Sequence, residues 1–171
     1  MEKSGESQDT KTILLRLIDQ NPGIRYRELL RLTRLANGVL AYHLSALEKS
    51  EGMKVDRRPG MTRYFSTSVS DKESDVLRNV RRESIRKILL FLLDHDLCTF
   101  NEIVDYMHKA PATISSHLTR LKKEGIITVR YGEYHLYRLA DKELISDVLS
   151  KYKSSFADKV VDNYVEIVEE L

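Results

Sequence analysis

One stretch of this sequence occurs twice, and the repetition constrains the fold more than any other feature. The string LAYHLSALEKSEGMKV, residues 40–55, returns as ISSHLTRLKKEGIITV, residues 114–129, at an offset of 74 residues that aligns His43 with His117. Similarity extends in both directions from these strings. Two copies of one supersecondary unit, each of roughly 70 residues, are the simplest organisation of such a chain.

Both copies have the same order of predicted elements. Apolar residues at helical spacing mark a first helix, and a short extended piece and a second helix follow it. The third helix ends at Gly52 in copy one and at Gly125 in copy two, and one residue is lost from the repeat just before these glycines. Alternating residues on either side of Pro59-Gly60 and of Gly132 predict a hairpin. Helix, short strand, helix, helix and hairpin make a winged helix-turn-helix domain.

Capping residues indicate where several helices begin. The signals are a capping box at Ser70 and Glu73, another at Thr99 and Glu102, an N-cap at Asn37 for the third helix of copy one, and Pro111 in the first turn of its counterpart. From residue 70 to residue 89 one apolar stripe continues, which predicts a long helix that joins the two copies.

After the second hairpin, Asp141 is a cap for a last helix whose apolar stripe continues to the end of the sequence. A helix of ~30 residues is ~45 Å long, so much of its stripe would be exposed in a monomer. We therefore expect a homodimer. The expected dimerisation residues are Leu149, Tyr152, Phe156, Val160, Tyr164, Ile167 and Val168.

The predicted fold class is mainly α with small β wings (α+β), with two tandem winged helix-turn-helix domains and a long C-terminal helix. We expect an N-terminal domain at residues 1–69, a linker helix with the second domain at 70–140, and a C-terminal dimerisation helix at 141–171.

Composition narrows the class of protein. The longest apolar run, residues 88–93, is far shorter than the ~20 residues that span a bilayer, and the first ten residues have no secretory apolar core. The protein is expected to be cytoplasmic. Its single cysteine, Cys98, excludes an intramolecular disulfide and a cysteine zinc site. A bridge between two subunits is the alternative to inert burial, which the apolar neighbours of Cys98 favour.

Charge is distributed unevenly along the chain. Residues 21–63 carry nine basic and four acidic side chains, whereas residues 141–171 carry four basic and eight acidic ones. Copy two, between residues 94 and 139, is electrically neutral. A polyanion is therefore expected to bind the first third of the chain.

The string from residue 40 to residue 52 resembles the recognition-helix motif of ArsR-like and related archaeal winged-helix regulators, and residues 114–125 are similar to it. The tandem arrangement with a closing helix also resembles archaeal regulators with two winged helices, including those that control archaellum operons. This resemblance implies a transcription regulator whose third helix lies in the DNA major groove while the hairpin wing touches the backbone or minor groove.

On the third helix of copy one, Leu40, Leu44 and Leu47 have the spacing of core residues, which leaves other side chains nearer the outer face. The expected base contacts are Asn37, Val39, Tyr42, His43 and Ala46 in copy one, and Thr113, Ser115, Ser116, His117 and Arg120 in copy two. An alternative is that Tyr42 and His43 only close the gap to the second helix.

Arginine side chains suit phosphate groups because each presents a long charged fork. The expected phosphate and wing contacts are Arg25, Arg27, Arg31 and Arg34 around the second helix, Arg57, Arg58 and Arg63 on the first wing, and Arg130 on the second. The alternative for these arginines is an ordinary solvated surface.

Other functions have little support in the sequence. The five histidines have no metal-ligand spacing, and no phosphate-binding loop or nucleophile motif occurs, so we expect no metal, no cofactor and no enzyme activity. The expected partners are double-stranded promoter DNA and a second copy of the chain, with basal transcription factors or RNA polymerase as further candidates and no membrane. A protein-interaction scaffold within a transcription assembly is the alternative function.

Overall fold

A computed structural model of the protein describes residues 2–59 and 61–156, with side chains from residue 9 onward. The chain divides into two compact units, Met1–Ser74 and Asp75–Leu171. None of the described helices is long and apolar enough to cross a membrane.

The first unit has the order of elements expected for a winged helix-turn-helix. Its elements are α1 (Glu2–Gln20), β1 (Ile24–Arg25), α2 (Tyr26–Thr33), α3 (Asn37–Lys49), β2 (Met53–Asp56) and β3 (Arg63–Ser66). The strands form an antiparallel sheet in the order β1-β3-β2, and Val55 pairs with Tyr64 in the hairpin. We call β2, β3 and the loop between them the first wing.

The core of the first unit is formed by one face of each helix. Leu14 and Ile18 of α1 are fully buried, as is Leu40 of α3, and Leu44 and Leu47 are nearly so. The three α3 leucines recur every three or four residues, so they lie on one side of the helix. The opposite side of α3 therefore faces solvent.

The second unit repeats this architecture. After α4 (Asp71–Val80), which crosses the division between the units, come α5 (Glu83–Asp94), β4 (Cys98–Thr99), α6 (Phe100–Met107), α7 (Pro111–Lys123), β5 (Ile127–Arg130), β6 (Leu136–Leu139), α8 (Lys142–Lys151) and a 3-10 turn (Lys153–Ser155). The sheet order is β4-β6-β5, and β5, β6 and their loop form the second wing. Two tandem winged helix-turn-helix domains, mainly α with small β wings, are confirmed.

The structural repeat keeps its offset as far as the wings. β1 and β4, α2 and α6, α3 and α7, and β2 and β5 begin 74 residues apart, whereas β3 and β6 begin 73 apart. The lost residue therefore lies in the wing loop, which is residues 57–62 in the first wing and residues 131–135 in the second. The predicted match of Gly52 with Gly125 is wrong, because Gly125 corresponds to Glu51.

Left-handed backbone recurs at equivalent positions of the two units. Arg34 (φ 54°) and His108 (φ 49°) end α2 and α6, while Glu51 (φ 54°) and Gly125 (φ 71°) follow α3 and α7. A residue with a Cβ atom is less stable in this conformation than glycine by roughly 1 kcal/mol. Glu51 is therefore strained where Gly125 is not.

We expect Glu51→Gly to raise the free energy of unfolding of the first unit by about 1 kcal/mol, because glycine removes this strain. The Glu51 side chain is exposed and makes no hydrogen bond or ion pair within the described part of the chain. The matched change Gly125→Ala should destabilise the second unit, since the new Cβ would meet nothing within 4 Å and only the conformational penalty remains. Amide hydrogen exchange reports the two units separately; equal protection in Glu51→Gly and the parent would contradict the prediction.

The predicted long helix between the copies is wrong, because two helices occupy this region. Arg81 and Arg82 separate α4 from α5, and the backbone of Arg82 is extended (φ −95°, ψ 115°). Apolar side chains of both helices are buried, which explains the continuous stripe in the sequence. The capping box that begins α4 is confirmed, since the Glu73 N–H donates to Ser70 Oγ at 3.2 Å and the Ser70 N–H donates to Glu73 Oε2 at 2.8 Å.

Two more caps are confirmed and one is corrected. The Glu102 N–H donates to Thr99 Oγ1 at 3.3 Å to cap α6, and Asp141 accepts a hydrogen bond from the first turn of α8 at 2.9 Å. Asn37, however, is the first residue of α3 and not its N-cap, which is Ala36. The side-chain oxygen of Asn37 accepts a hydrogen bond from a tyrosine of α2 instead of capping α3.

The predicted continuous helix from residue 141 needs correction. α8 ends at Lys151, and a 3-10 turn follows. Leu149, Tyr152 and Phe156 are buried within the second unit, so these three are core residues and not an exposed dimerisation stripe. The remaining expected dimerisation residues, Val160, Tyr164, Ile167 and Val168, lie outside the described residues.

Candidate nucleic-acid interface

The outer side of α3 presents a mixed apolar and polar surface. Tyr42 is 68% exposed and Val39 is 43% exposed, and Asn37 is exposed at the start of the helix. Ala46, expected on this surface, is only half-buried. Ala41, Ser45 and Lys49 are also exposed on α3 and were not predicted as contacts. Ala41 and Ser45 each directly follow a buried leucine and Lys49 lies one turn beyond Ser45, and this spacing in the sequence identifies them as part of the exposed side of α3.

His43, expected to contact bases, lies in the core of the first unit. Its side chain is 6% exposed, and its Nδ1 has no hydrogen-bond partner among the described residues. The ring makes an edge contact with Tyr42, with 5.3 Å between centroids. His43 is three residues after Leu40 and four before Leu47, which puts it on the buried side of the helix. It therefore cannot reach a base edge in this conformation.

Asn37 is fixed by the preceding helix. The Tyr26 hydroxyl, at the first position of α2, donates to the backbone oxygen of Asn37 at 2.7 Å and to its Oδ1 at 2.8 Å. These contacts join the first residues of α2 and α3. The helix-turn-helix thus presents the Asn37 amide in a set orientation at the N-terminal end of α3, the end that approaches base edges in this docking mode.

The arginines of α2 and of its C-terminal end form a positive surface on the first unit. Arg27 and Arg31 lie one turn apart on the same face, and Arg34 ends the helix; all three are exposed, whereas Arg25 is half-buried. Within the described part of the chain, none of the four has an ion pair. We call Arg27, Arg31 and Arg34 the α2 arginine stripe.

The arginines of the first wing differ from those of the stripe. Arg57 makes a bidentate ion pair with Glu48 of α3, at 2.5 and 2.6 Å, and this hydrogen bonding holds the pKa of the Glu48 carboxyl below its ordinary value. Arg58 Nε lies 3.2 Å from Asp56 Oδ1. Both arginines are exposed, but each already has a carboxylate partner.

Arg63, expected as a wing contact to phosphate, is buried and only 2% exposed. Its Nη1 donates to the backbone oxygen of Gly23 at 2.6 Å, and its backbone pairs with both neighbouring strands of the sheet. Tyr64 and Phe65, the next two residues of β3, are buried as well, so both faces of this part of the strand are covered. Arg63 is therefore a structural residue of the first unit.

In the second unit, α7 presents small polar side chains. Thr113, Ser115, Ser116 and Thr119 are exposed on it. This surface carries hydroxyl groups that both donate and accept hydrogen bonds.

Arg120 and His117, the two larger side chains of α7 predicted to contact bases, are less available for DNA. Arg120 Nε lies 3.0 Å from Glu124 Oε1, one turn along the helix, so its charge is partly neutralised. His117 is half-buried, and burial, followed by the charges of Arg82, Arg120 and Lys109, lowers the pKa of His117 below its ordinary value. The histidine is consequently neutral at pH 7. Arg130, at the end of β5, is exposed.

In both units a side-chain contact joins the recognition helix to the wing, and it uses equivalent positions of the repeat. In the first unit they are Glu48 and Arg57, which form the ion pair described above. Seventy-four residues later they are Lys122 and Tyr131: the Lys122 ammonium lies 5.0 Å from the centre of the Tyr131 ring and donates to its hydroxyl. The position pair is therefore kept while its chemistry changes from an ion pair to a cation–π contact.

Other kinds of site are not visible in the described ranges. Among residues 2–59 and 61–156, no three histidine, cysteine, aspartate or glutamate side chains are grouped so as to hold a metal ion. Cys98 is buried, and burial raises the pKa of its thiol to about 11. The thiol is therefore protonated at neutral pH.

Comparison with known proteins matches both units. A family model described as an N-terminal helix-turn-helix domain matches residues 8–77, and one described as bacterial regulatory protein, arsR family, matches residues 83–129. The HTH-type transcriptional repressor SmtB of Mycobacterium tuberculosis is 32% identical over 93 residues, a match that covers 54% of this chain and 68% of that protein.

Solved structures similar to the chain include HlyU from Vibrio cholerae, at 21% identity and a TM-score of 0.45, over 52% of this chain and 96% of that one. The transcriptional repressor BigR from Xylella fastidiosa has 18% identity and a TM-score of 0.44, over 52% of this chain and 90% of its own. The families matched by sequence consist of transcription regulators, which are not enzymes. This chain accordingly belongs to the ArsR family of winged helix-turn-helix proteins and is a DNA-binding transcription regulator.

Proposed function

We propose that this regulator binds specific promoter sequences as a homodimer and that its first unit is the main reader of duplex DNA. The observation that carries the proposal is the exposed outer side of α3 beside the α2 arginine stripe, whose three arginines have no carboxylate partner among the described residues. Positive charge next to an exposed recognition helix is what a helix-turn-helix needs to bind DNA.

Base readout in the first unit would combine two kinds of contact. Val39 and Ala41 suit the thymine methyl group, while Asn37, Tyr42 and Ser45 hydrogen-bond with base edges. The α2 arginine stripe would bind the flanking phosphates, which position the protein but carry no sequence information. Ala46, being half-buried, would add little.

The second unit would contribute a weaker duplex contact. Thr113, Ser115 and Ser116 offer hydroxyl groups from α7, and Arg130 offers a charge from the second wing. Arg120 would first have to leave Glu124. Unlike α2 of the first unit, the preceding helix α6 carries no basic side chain.

Dimerisation is proposed to use residues 157–171. Val160, Tyr164, Ile167 and Val168 stand at positions i, i+4, i+7 and i+8 in the sequence, the spacing of one helix face. A two-fold dimer would bind an inverted repeat, with half-sites about 34 Å apart or a multiple of that distance. Three further points stay predictions. They are that the protein acts in the cytoplasm, that it is one of the archaeal regulators of archaellum operons, and that it contacts basal transcription factors or RNA polymerase.

The proposal is tested by selection of bound sequences from a pool of random duplexes, with the full chain and with a chain that ends after Phe156. We expect the full chain to enrich an inverted repeat and to sediment as a dimer. The shortened chain should keep both folded units, enrich a single half-site and sediment as a monomer. Failure to enrich any sequence would contradict specific readout; a dimer of the shortened chain would contradict the proposed dimer contact only.

A further inference from the structure

The loop of the second wing carries exposed aromatic rings that the first wing lacks. Tyr131 is 60% exposed and Tyr134 is 67% exposed, and His135 beside them is exposed as well. The first wing has the loop sequence RRPGMT at residues 57–62, without an aromatic residue. Neighbouring exposed rings form a contiguous patch, and such patches are typical of binding surfaces.

These rings border a groove between α7 and the second wing. Two adjoining clefts share Ser115, His135 and Tyr137; Thr119 and Tyr131 line one, and Asn101, Glu133 and Tyr134 line the other. We call this surface the tyrosine groove. Its hydroxyl, amide and carboxylate groups are able to bind the hydrogen-bonding edge of a base, and its tyrosines offer flat faces.

The two tyrosines are held differently. Tyr131 is fixed by the Lys122 ammonium and by an edge contact with His135, with 4.8 Å between the ring centroids. Tyr134 makes no ring contact and no hydrogen bond with any residue the structure describes. One ring is thus pre-positioned by a cation, and the other is open to a ligand.

Charge is separated along copy two of the repeat, although residues 94–139 are neutral in total. Residues 94–107 carry four acidic and no basic side chains, whereas residues 108–138 carry six basic and two acidic ones. One of those two acids, Glu124, is paired with Arg120. The recognition helix and the second wing, including Lys123 and Arg130, are therefore basic.

Basic side chains interleaved with exposed aromatic rings suit a nucleic-acid strand whose bases are unpaired. In an intact duplex each base is covered by its neighbours, so a tyrosine ring finds a base face only where the stack is open. We propose that the tyrosine groove binds unpaired bases of single-stranded DNA by stacking on Tyr134 and Tyr131, with Lys122, Lys123 and Arg130 bound to the phosphates. The second unit then adds a binding activity for opened DNA to the duplex readout of the first.

The test uses the full chain and a labelled oligothymidylate of about 15 nucleotides, whose binding is followed by fluorescence anisotropy. Tyr134→Ala should lower affinity for the oligothymidylate roughly five- to hundredfold, because the stacking of one base is lost. Tyr134→Phe keeps the ring and should bind within about twofold of the parent, as loss of the hydroxyl leaves stacking intact. Tyr106→Ala, which removes an exposed tyrosine of α6 outside the groove, is the matched control and should also leave affinity unchanged.

The same variants are measured on a duplex of equal length, so that the two binding modes separate. Tyr134→Ala should keep its duplex affinity, and loss of the α2 arginine stripe should reduce duplex affinity while the oligothymidylate stays bound. The inference is overturned if the parent does not bind the oligothymidylate, or if Tyr134→Ala binds it as the parent does. A parent that binds the oligothymidylate but no duplex would contradict the proposed function and not this inference.

Discussion

Replacement of Arg27, Arg31 and Arg34 together by alanine is expected to lower affinity for duplex DNA about a hundredfold at moderate salt. Each of the three is exposed and has no ion pair within the described residues, so each can neutralise a phosphate. Counterions released by such contacts make binding weaken with salt, and each lost contact reduces the slope of log K against log salt by roughly 0.9. Titrations of the triple variant over a range of salt concentrations should therefore show a slope smaller by about 3.

The control for this prediction is Arg57→Ala combined with Arg58→Ala. These arginines are as exposed as the stripe, but Glu48 and Asp56 already neutralise them. We expect the double variant to change the slope by less than about 1. If it weakened binding more than the triple variant, phosphate contacts would have to be assigned to the first wing and not to α2.

Arg63→Ala is expected to destabilise the first unit by about 3 kcal/mol while it leaves phosphate binding unchanged. The side chain is 2% exposed, and its removal leaves the Gly23 oxygen without this donor and leaves a gap in the core. A hydrogen bond from a charged group contributes ~1.5–3 kcal/mol, and the aliphatic part of the side chain adds packing. Urea unfolding measures the loss of stability.

Two comparisons separate a structural Arg63 from a phosphate contact. Arg63→Met restores part of the packing and should recover part of the stability, whereas Arg58→Ala should change stability by less than about 0.5 kcal/mol. At a temperature where Arg63→Ala is folded, its salt slope should equal that of the parent. A stable variant with a reduced slope would mean that Arg63 binds DNA.

The fold was largely predictable because its signals are local and occur twice. Helical spacing, the capping boxes and the wing patterns each specify a short element, and the second copy repeats the evidence of the first. The position of the lost residue was not predictable in this way. Gly52 and Gly125 look equivalent as residues. However, β2 and β5 begin 74 residues apart and Glu51 shares the left-handed backbone of Gly125, so these two are equivalent and the deletion lies in the wing loop.

The site was predicted less well because exposure depends on packing. His43 is polar, and only its spacing from Leu40 and Leu47 reveals that it lies on the buried side of α3. The sequence favours the same role for Arg63 as for Arg57 and Arg58, because all three are arginines near one hairpin. Sequence does not reveal that one is buried beside Gly23 and that the others already have carboxylate partners.

The C-terminal region shows a third reason why the sequence does not predict every element. Apolar residues every three or four positions favour one continuous helix, but Tyr152 and Phe156 are needed by the core of the second unit. Phe156 lies under the guanidinium of Arg86, 5.1 Å from the ring centre, and α8 ends at Lys151 before that contact is made. A periodic pattern does not distinguish a partner in the same chain from one in another.

The equal dimensions of the two helix-turn-helix motifs have a consequence for protein engineering. α3 and α7 both have 13 residues, and each follows a three-residue turn that begins with a left-handed residue, Arg34 or His108. Residues 37–49 and 111–123 can thus be exchanged without a change in loop length. In such a chimera the contact between helix and wing would be mismatched, with Lys122 facing Arg57 or Glu48 facing Tyr131, so the wing residue has to be transplanted together with the helix.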